Sequence, residues 1–135
     1  MATFDLELVS PERLLLSRPV EMVTIPAAEG EMGVLPGHAP MIVTLRGGVI
    51  RVRENGGETE RLFVMGGFAE IAPTRVTVLA DEATPLASLS RAEAERRVAE
   101  AEAALATADA SPSAREAAME RVASARAMVA AATAA

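Results

Sequence analysis

Short runs of alternating apolar and polar residues fill the first two thirds of the chain, which is the pattern of half-buried β-strands. In "TFDLELV", residues 3–9, Phe4, Leu6 and Leu8 fall on one face and acidic residues lie between them. The run "VEMVTI", residues 20–25, is rich in β-branched residues and predicts one further strand, mostly buried.

Two longer stretches each predict a pair of strands. Residues 48–64 carry Asn55-Gly56-Gly57 between two apolar runs, a strong hairpin signal because these residues accept positive φ. Residues 66–81 predict two strands that turn at Ala72-Pro73-Thr74. Apolar residues alternate with arginines in the first of these four strands: Val49 or Ile50 and Val52 inward, Arg51 and Arg53 outward. Closely spaced strands without intervening helices favour a β-sandwich or barrel over a parallel α/β sheet.

One segment, "GEMGVLPGHAPM" at residues 30–41, combines three glycines, two prolines and the single histidine of the chain. This composition predicts a long, stiff turn that continues neither a helix nor a long strand. Two roles stay open for His38. It either fixes the loop or contacts a partner, or it acts as a general base, for which no partner residue stands out.

The composition changes near residues 81–90, because 20 of the 46 residues from Ser90 to Ala135 are alanine. We therefore divide the chain into a β-sandwich domain at residues 1–86 and an α-helical hairpin at residues 87–135. Ser90 and Glu93 fit a capping box that begins a helix ending near Asp109. One face of this helix is apolar: Val98, Ala101 and Leu105.

A second helix is predicted to begin at Pro112, capped by Ser111. Its apolar stripe consists of four residues: Met119, Val122, Ala125 and Val129. The short loop between the helices implies an antiparallel hairpin. Alanine favours helix but buries little area, so the hairpin folds easily and docks weakly. A movable hairpin and a plain helical cap are both compatible with this pattern.

The charge and the missing residue types exclude several functions. The net charge of −6 argues against nucleic-acid binding, and a chain without cysteine has no disulfide or thiol chemistry. All 13 basic residues are arginine, so Schiff-base and Walker-type lysine chemistry is excluded. A lone histidine makes no metal cluster, and the adjacent Asp81 and Glu82 face opposite ways. The sequence suggests neither a spanning segment nor a signal peptide. Because it contains no cysteine, a cytoplasmic location is the simplest expectation.

Four segments in this order and spacing resemble the epsilon subunit of the bacterial F-type ATP synthase. They are "VSPERLLLS" (residues 9–17), "EGEMGVLPGHAPM" (29–41), "VMGGFAEI" (64–71) and "VTVLADEA" (76–83). The resemblance covers essentially the whole chain. The chain departs from the pattern at Met65, where a small residue such as serine is common.

The resemblance implies an N-terminal ten-stranded β-sandwich and a C-terminal two-helix hairpin. It also implies a non-catalytic rotor subunit of the central stalk, which binds the gamma subunit and the ring of c subunits and couples proton flow to ATP synthesis. Such subunits are peripheral on the cytoplasmic face of the bacterial inner membrane. In many bacteria the hairpin extends towards the alpha and beta subunits and inhibits ATP hydrolysis.

The resemblance also suggests site residues, none of them catalytic or metal-binding. Those for the c-ring or gamma interface are Glu29, Gly30, Glu31, Met32 and His38. Arg91 and Ala92 match a nucleotide motif of some relatives, but Ala87 and Ser88 replace its large apolar residue and aspartate, so we expect no cofactor and at most weak ATP binding. The arginines suggested for inhibitory contact are Arg115, Arg121 and Arg126, offset by Glu116 and Glu120 to a net charge of about +1 (3 − 2).

Two other functions remain open from the residues alone. One is an unrelated β-sandwich binding module with a dimerising helical tail, and the other is an enzyme that uses His38. Co-purification with gamma separates the rotor subunit from both alternatives.

Overall fold

The computed structural model describes residues 2–107 and 111–134 and has ten strands and two α-helices. The strands are β1 (Phe4–Val9), β2 (Leu14–Val20), β3 (Met22–Ala27), β4 (Gly30–Val34), β5 (Met41–Leu45), β6 (Gly48–Glu54), β7 (Gly57–Val64), β8 (Gly67–Ile71), β9 (Arg75–Ala80) and β10 (Ala83–Pro85). A short 3-10 helix, Leu86–Ser88, leads to the helices α1 (Arg91–Ala106) and α2 (Pro112–Ala134).

The strands form a β-sandwich of two halves that are joined at one corner. The helix-side half contains β10, β7, β6 and β3, with β4 paired to β3. The outer half contains β5, β8, β9, β1 and β2. A single pair, Ala27 with Leu45, links β3 to β5, and the apolar faces of both halves share one core. The predicted ten-stranded sandwich is confirmed, with one parallel pair, β1 with β9.

Alternation along the strands correctly predicted much of the core. Phe4, Leu6 and Leu8 are buried, as predicted. The turn between β6 and β7 is also confirmed, because Asn55 has φ 52° and Gly56 has φ 79°, the signs that a two-residue hairpin turn requires.

The prediction of one strand over residues 20–25 is confirmed for residues 22–25, which lie in β3, and is wrong for its first two residues. Val20 ends β2 in the outer half, and β3 begins at Met22 in the helix-side half. Glu21 lies between them, where its N–H donates to the Arg53 carbonyl at 2.9 Å and its carboxylate accepts from the Gly56 N–H at 3.0 Å. These bonds fix the point at which the chain passes from the outer half to the helix-side half. The hydrophobic periodicity alone does not reveal this point.

The prediction of an irregular turn over residues 30–41 is wrong for its first half. Residues 30–34 form β4, which pairs antiparallel with β3, and only residues 35–40 are irregular. Gly33 lies inside this strand, paired with Thr24 of β3, and a Cβ there would lie 2.7 Å from Cε at the flexible end of Met22. Composition suggested a chain break where the glycine is instead part of a paired strand.

Both predicted helix starts are confirmed. The Ser90 hydroxyl accepts from the Glu93 N–H at 3.2 Å, and the Ser111 hydroxyl accepts from the Ala114 N–H at 3.3 Å. The capping box is only half formed, because the Glu93 carboxylate binds arginines of its own helix. The predicted end of the first helix at Asp109 lies outside the described residues, and described α1 ends at Ala106.

The predicted apolar stripe of the second helix is partly wrong. Met119 is 57% exposed and Val129 is only half-buried. The buried residues of α2 are Ala118, Val122, Ala125, Met128 and Ala131. In an alanine-rich helix the small residues approach neighbours most closely, so large side chains do not mark the buried face. Val98, Ala101 and Leu105 on α1 are all half-buried.

Candidate functional site: surfaces for partner proteins

A row of apolar side chains crosses the outward face of the outer half of the sandwich. Phe68 on β8 pairs with Leu79 on β9, Leu79 with Val9 on β1, and Val9 with Leu14 on β2. Phe68, Leu79 and Leu14 are 54%, 48% and 55% exposed. We call these four residues the apolar ladder. A contiguous exposed apolar patch on a small domain is typical of a protein interface.

The ladder was missed at the sequence level, although a signal for it exists. Phe68 and Leu79 occupy the outward phase of strands whose inward residues are already apolar. Their pairing depends on β8 and β9 lying side by side, and the link to β1 depends on a parallel pair far apart in sequence. The row therefore becomes visible only once the strand order is known.

The loop between β4 and β5 is a stiff turn at the opposite end of the sandwich from the β3–β4 turn. The His38 N–H donates to the Leu35 carbonyl at 3.3 Å, and the enclosed Pro36-Gly37 pair has Gly37 at φ 85°, as in a type II turn. The Gly37 N–H donates to the Pro73 carbonyl at 2.8 Å, which ties the loop to the β8–β9 turn.

The predicted interface residues do not form one cluster. Glu29 lies in the turn between β3 and β4, close to β5, since the Ala28 N–H donates to the Thr44 carbonyl at 2.9 Å. The length of β4, roughly 13 Å at about 3.3 Å per residue, separates this turn from the loop that carries His38.

The side chains of β4 also differ in what they can offer a partner. Glu31 is exposed, and its carboxylate pairs with Arg51 at 3.2 Å. Met32 packs against the sandwich core, so its predicted outward side chain is only half available. Gly30 begins the strand with φ 144°, a backbone conformation that other residues rarely adopt. Glu29 is thus the freest polar side chain of this group.

His38 is placed to fix its loop. Its Nδ1 lies 2.8 Å from the carbonyl of Ala39, and the ring is half-buried. The carbonyl accepts only if Nδ1 carries the proton, so the bond selects that tautomer. Within residues 2–107 and 111–134, no group of three His, Cys, Asp or Glu side chains is placed to hold a metal ion.

The residues suggested for nucleotide contact lie on the solvent side of α1. The Arg91 guanidinium pairs with Glu95 at 2.9 Å, one turn further along the helix. Ala92 is exposed, and so are Ala87 and Ser88, the two residues that differ from the nucleotide motif of relatives. The structure therefore shows these residues in surface positions, with the arginine already paired.

The three arginines of α2 point to different surroundings. Arg126 pairs with Glu102 of α1 at 2.8 Å. Arg121 lines a cleft of about 1080 Å³ between α2 and the end of the sandwich, while Arg115 is exposed. The docked hairpin therefore presents no single basic face made of these three residues.

Arg18 and Glu54 clamp the two halves of the sandwich together on the side away from the corner. Nε and Nη2 of Arg18 donate to the two carboxylate oxygens of Glu54, both at 2.8 Å. These bonds, with a further one from Thr59, hold the pKa of Glu54 below its usual value. The carboxylate stays charged and paired at neutral pH, which stiffens the scaffold that carries the surfaces.

Comparison with known proteins agrees with this architecture. The family model described as "ATP synthase, Delta/Epsilon chain, beta-sandwich domain" matches residues 3–86. The chain is 64% identical to the ATP synthase epsilon chain of Granulibacter bethesdensis over 133 residues, 98% of each protein. It is 53% identical to that of Rhodospirillum rubrum over 96 residues, 71% of this chain and 72% of the relative.

Solved structures with the same fold include two from mitochondrial assemblies. A chain in the OSCP/F1/c-ring structure of the Euglena gracilis ATP synthase matches with TM-score 0.78 and 28% identity, covering 97% of this chain and 82% of that one. A chain in the central stalk/c-ring structure of the Tetrahymena thermophila enzyme matches with TM-score 0.70 and 15% identity, covering 96% of each chain, which supports the fold alone.

The chain has a ten-stranded sandwich followed by two C-terminal helices, and its sandwich belongs to the class of ATP synthase delta/epsilon chains. Within that class, the chain belongs to the epsilon-chain family of the bacterial F-type ATP synthase. It is a non-catalytic subunit of the rotor stalk of that enzyme. Among the described residues, neither α1 nor α2 is long and apolar enough to cross a membrane.

Proposed function

We propose that the sandwich links gamma to the c-ring, with the apolar ladder as the gamma-binding surface. The observation that carries this proposal is the exposure of Phe68, Leu79 and Leu14 in one cross-strand row. Exposed apolar side chains do not stabilise the isolated chain, whereas their burial against a permanent partner stabilises the complex.

In this proposal the β3–β4 turn is the surface that contacts the c-ring. Glu29 in this turn and Glu31 at the start of β4 are exposed and suited to the polar loops of a membrane rotor, and β4 keeps the turn rigid by pairing with β3. The turn lies at the same end as Thr44, which pairs with Phe68 of the ladder. One end of the sandwich thus offers an apolar face to one partner and an acidic turn to another, as a coupling element requires.

The hairpin is assigned a regulatory role, in which it leaves the sandwich and reaches the alpha and beta subunits. Release of the hairpin from the sandwich frees Arg121 from its cleft. Arg126 becomes free once α1 and α2 also separate, because its partner Glu102 lies on α1. In this proposal the subunit is peripheral, held at the cytoplasmic face of the bacterial inner membrane through gamma and the c-ring while it couples proton translocation to ATP synthesis.

Capture of purified gamma by the immobilised chain tests the ladder. Phe68→Asp replaces the one aromatic side chain of the ladder, at its β8 end, by a charge, and we expect gamma affinity to fall about tenfold or more, the usual size for a hot-spot contact. Glu70→Asn is the matched control, because Glu70 is exposed two residues further along the same strand and face.

The thermal transition of each variant is measured in parallel. Both substituted side chains are exposed, so the isolated domain should keep its stability within about 0.5 kcal/mol. Unchanged gamma affinity in Phe68→Asp, or an equal loss in Glu70→Asn, would refute the ladder as the gamma-binding surface.

A further inference from the structure

The hairpin rests on a second hydrophobic cluster, separate from the sandwich core. Its buried members come from both sides of the contact: Phe63, Leu86, Ala94, Met128 and Ala131. Val49 and Met65 of the sandwich pack against it with part of their surface still accessible. We call these residues the docking cluster. Most of the buried side chains that the helices contribute to this cluster are small. Other contacts therefore make a large contribution to holding the helices on the sandwich.

Two polar contacts also join the hairpin to the sandwich, one for each helix. Arg97 of α1 donates through Nη1 and Nη2 to the two carboxylate oxygens of Glu82, at 2.9 and 2.7 Å. The Ser124 hydroxyl of α2 donates to the Met65 carbonyl at 3.1 Å. A bidentate arginine–carboxylate pair is among the stronger and more directional ion pairs.

The two sandwich partners are bonded to each other. The Met65 N–H donates to the Glu82 carbonyl at 3.0 Å, between the segments that follow β7 and β9. The Met65–Glu82 pair, which we call the anchor, therefore holds α1 by one member and α2 by the other. A change at either residue is felt by both helices, because the backbone bond fixes their relative position.

We propose that the anchor sets the equilibrium between docked and released hairpin, and that the Glu82–Arg97 pair makes this equilibrium depend on ionic strength. The side chains of Arg97 and Glu82 are 31% and 43% exposed, so dissolved ions reach them. The Debye length falls from about 10 Å at 0.1 M salt to about 3 Å at 1 M, which weakens an accessible pair. Salt therefore favours release.

Release of the hairpin rests on the regulatory role proposed above, but it can be followed in the isolated chain without a partner subunit. The chain has no cysteine, so spin labels attach only at introduced sites. Ser17→Cys on β2 and Glu116→Cys on α2 are exposed positions outside the docking cluster and the anchor. The distribution of distances between the two labels, measured by pulsed electron resonance, gives the docked and released fractions.

Arg97→Gln should raise the ratio of released to docked chain about three- to fivefold at low salt, the size expected for a partly exposed ion pair. In Arg97→Gln the ratio of released to docked chain should change less with salt concentration than it does in the unsubstituted chain. Ser124→Ala should raise the ratio about two- to fivefold without flattening the salt dependence, because a neutral bond is lost.

Arg96→Gln is the matched control. Arg96 neighbours Arg97, but its ion pairs among the described residues are with Glu93 and Glu100 of its own helix, so the same charge is removed without touching the sandwich. The unsubstituted chain and Arg96→Gln should behave alike. Equal effects of Arg96→Gln and Arg97→Gln, or unchanged salt dependence in Arg97→Gln, would overturn the proposal. Unchanged gamma affinity in Phe68→Asp, which refutes the ladder, would leave this result untouched, so the two proposals fail separately.

Discussion

Gly47 is the position at which one methyl group should separate docking of the hairpin from stability of the sandwich. A Cβ added to Gly47 would lie 2.7 Å from Cα of Ser124 and 2.8 Å from its Cβ and Oγ. Ordinary carbon contacts begin near 3.4 Å, so α2 must retreat locally by about 0.7 Å (3.4 − 2.7). Because the nearest atom belongs to the backbone of α2, no rotamer change relieves the clash.

The cost falls on the docked state alone. Overpacking of this kind typically costs about 1–3 kcal/mol, so the ratio of released to docked hairpin should rise about 5- to 150-fold in Gly47→Ala. The φ of Gly47 is not positive, so alanine suits its backbone. Loss of chain entropy in the unfolded state then stabilises the sandwich itself by about 0.4–1 kcal/mol. Gly47→Ala should therefore weaken docking of the hairpin while it stabilises the sandwich.

Distances between labels at Ser17→Cys and Glu116→Cys report docking, and urea unfolding followed by circular dichroism reports the sandwich. Gly48→Ala is the control, because its Cβ would lie 2.7 Å from Cβ of Pro26 inside the sandwich. It should lower sandwich stability. A Gly47→Ala chain that stays docked like the unsubstituted protein would refute the close approach of α2 at this point.

Two further predictions concern charge. Glu54→Gln should lower the free energy of unfolding by about 1 kcal/mol at pH 7, measured by urea titration, since Arg18 is partly exposed. Because pairing lowers the folded-state pKa of Glu54, this stabilisation is present above the unfolded value of about 4.3 and is lost as pH falls through the folded value; an equal deficit at about pH 2 would contradict the pairing. Mg-ATP should bind at about millimolar affinity or weaker by calorimetry, and Ser88→Asp should tighten binding about ten- to a hundredfold through one charge-assisted hydrogen bond. Micromolar binding by the unsubstituted chain would show that other residues form the site.

The parts of the fold that the sequence predicted are those governed by local rules. The alternation of Phe4, Leu6 and Leu8 and the two serine caps depend on neighbours within a few residues, and all of these are confirmed. The resemblance supplied the ten strands, of which the patterns alone had suggested fewer. The break between β2, which ends at Val20, and β3 was not predicted. Glu21, which lies at this break, is held by partners more than 30 residues away in the sequence.

The surfaces were harder to predict because they are assembled across strands. The ladder joins Leu14 to Phe68 through β1 and β9, and the anchor joins Met65 to Glu82 through one backbone bond. Met65 departs from the family pattern, in which a small residue is common, and its side chain packs against the buried residues of the docking cluster. The interface residues suggested by resemblance, Glu29 and His38 among them, stay a prediction.

The composition of the docking cluster explains why a few polar contacts can govern the hairpin. Phe63 comes from β7 and Leu86 from the 3-10 helix, while Met128 is the one large side chain that α1 and α2 bury there among the described residues. Burial of such a side chain contributes about 1.5–3 kcal/mol, and each alanine adds much less. Ordering the connecting segment consumes part of this gain. The remaining difference is comparable to one ion pair, so a contact such as Glu82–Arg97 changes the docked population severalfold where it would be negligible in the sandwich core.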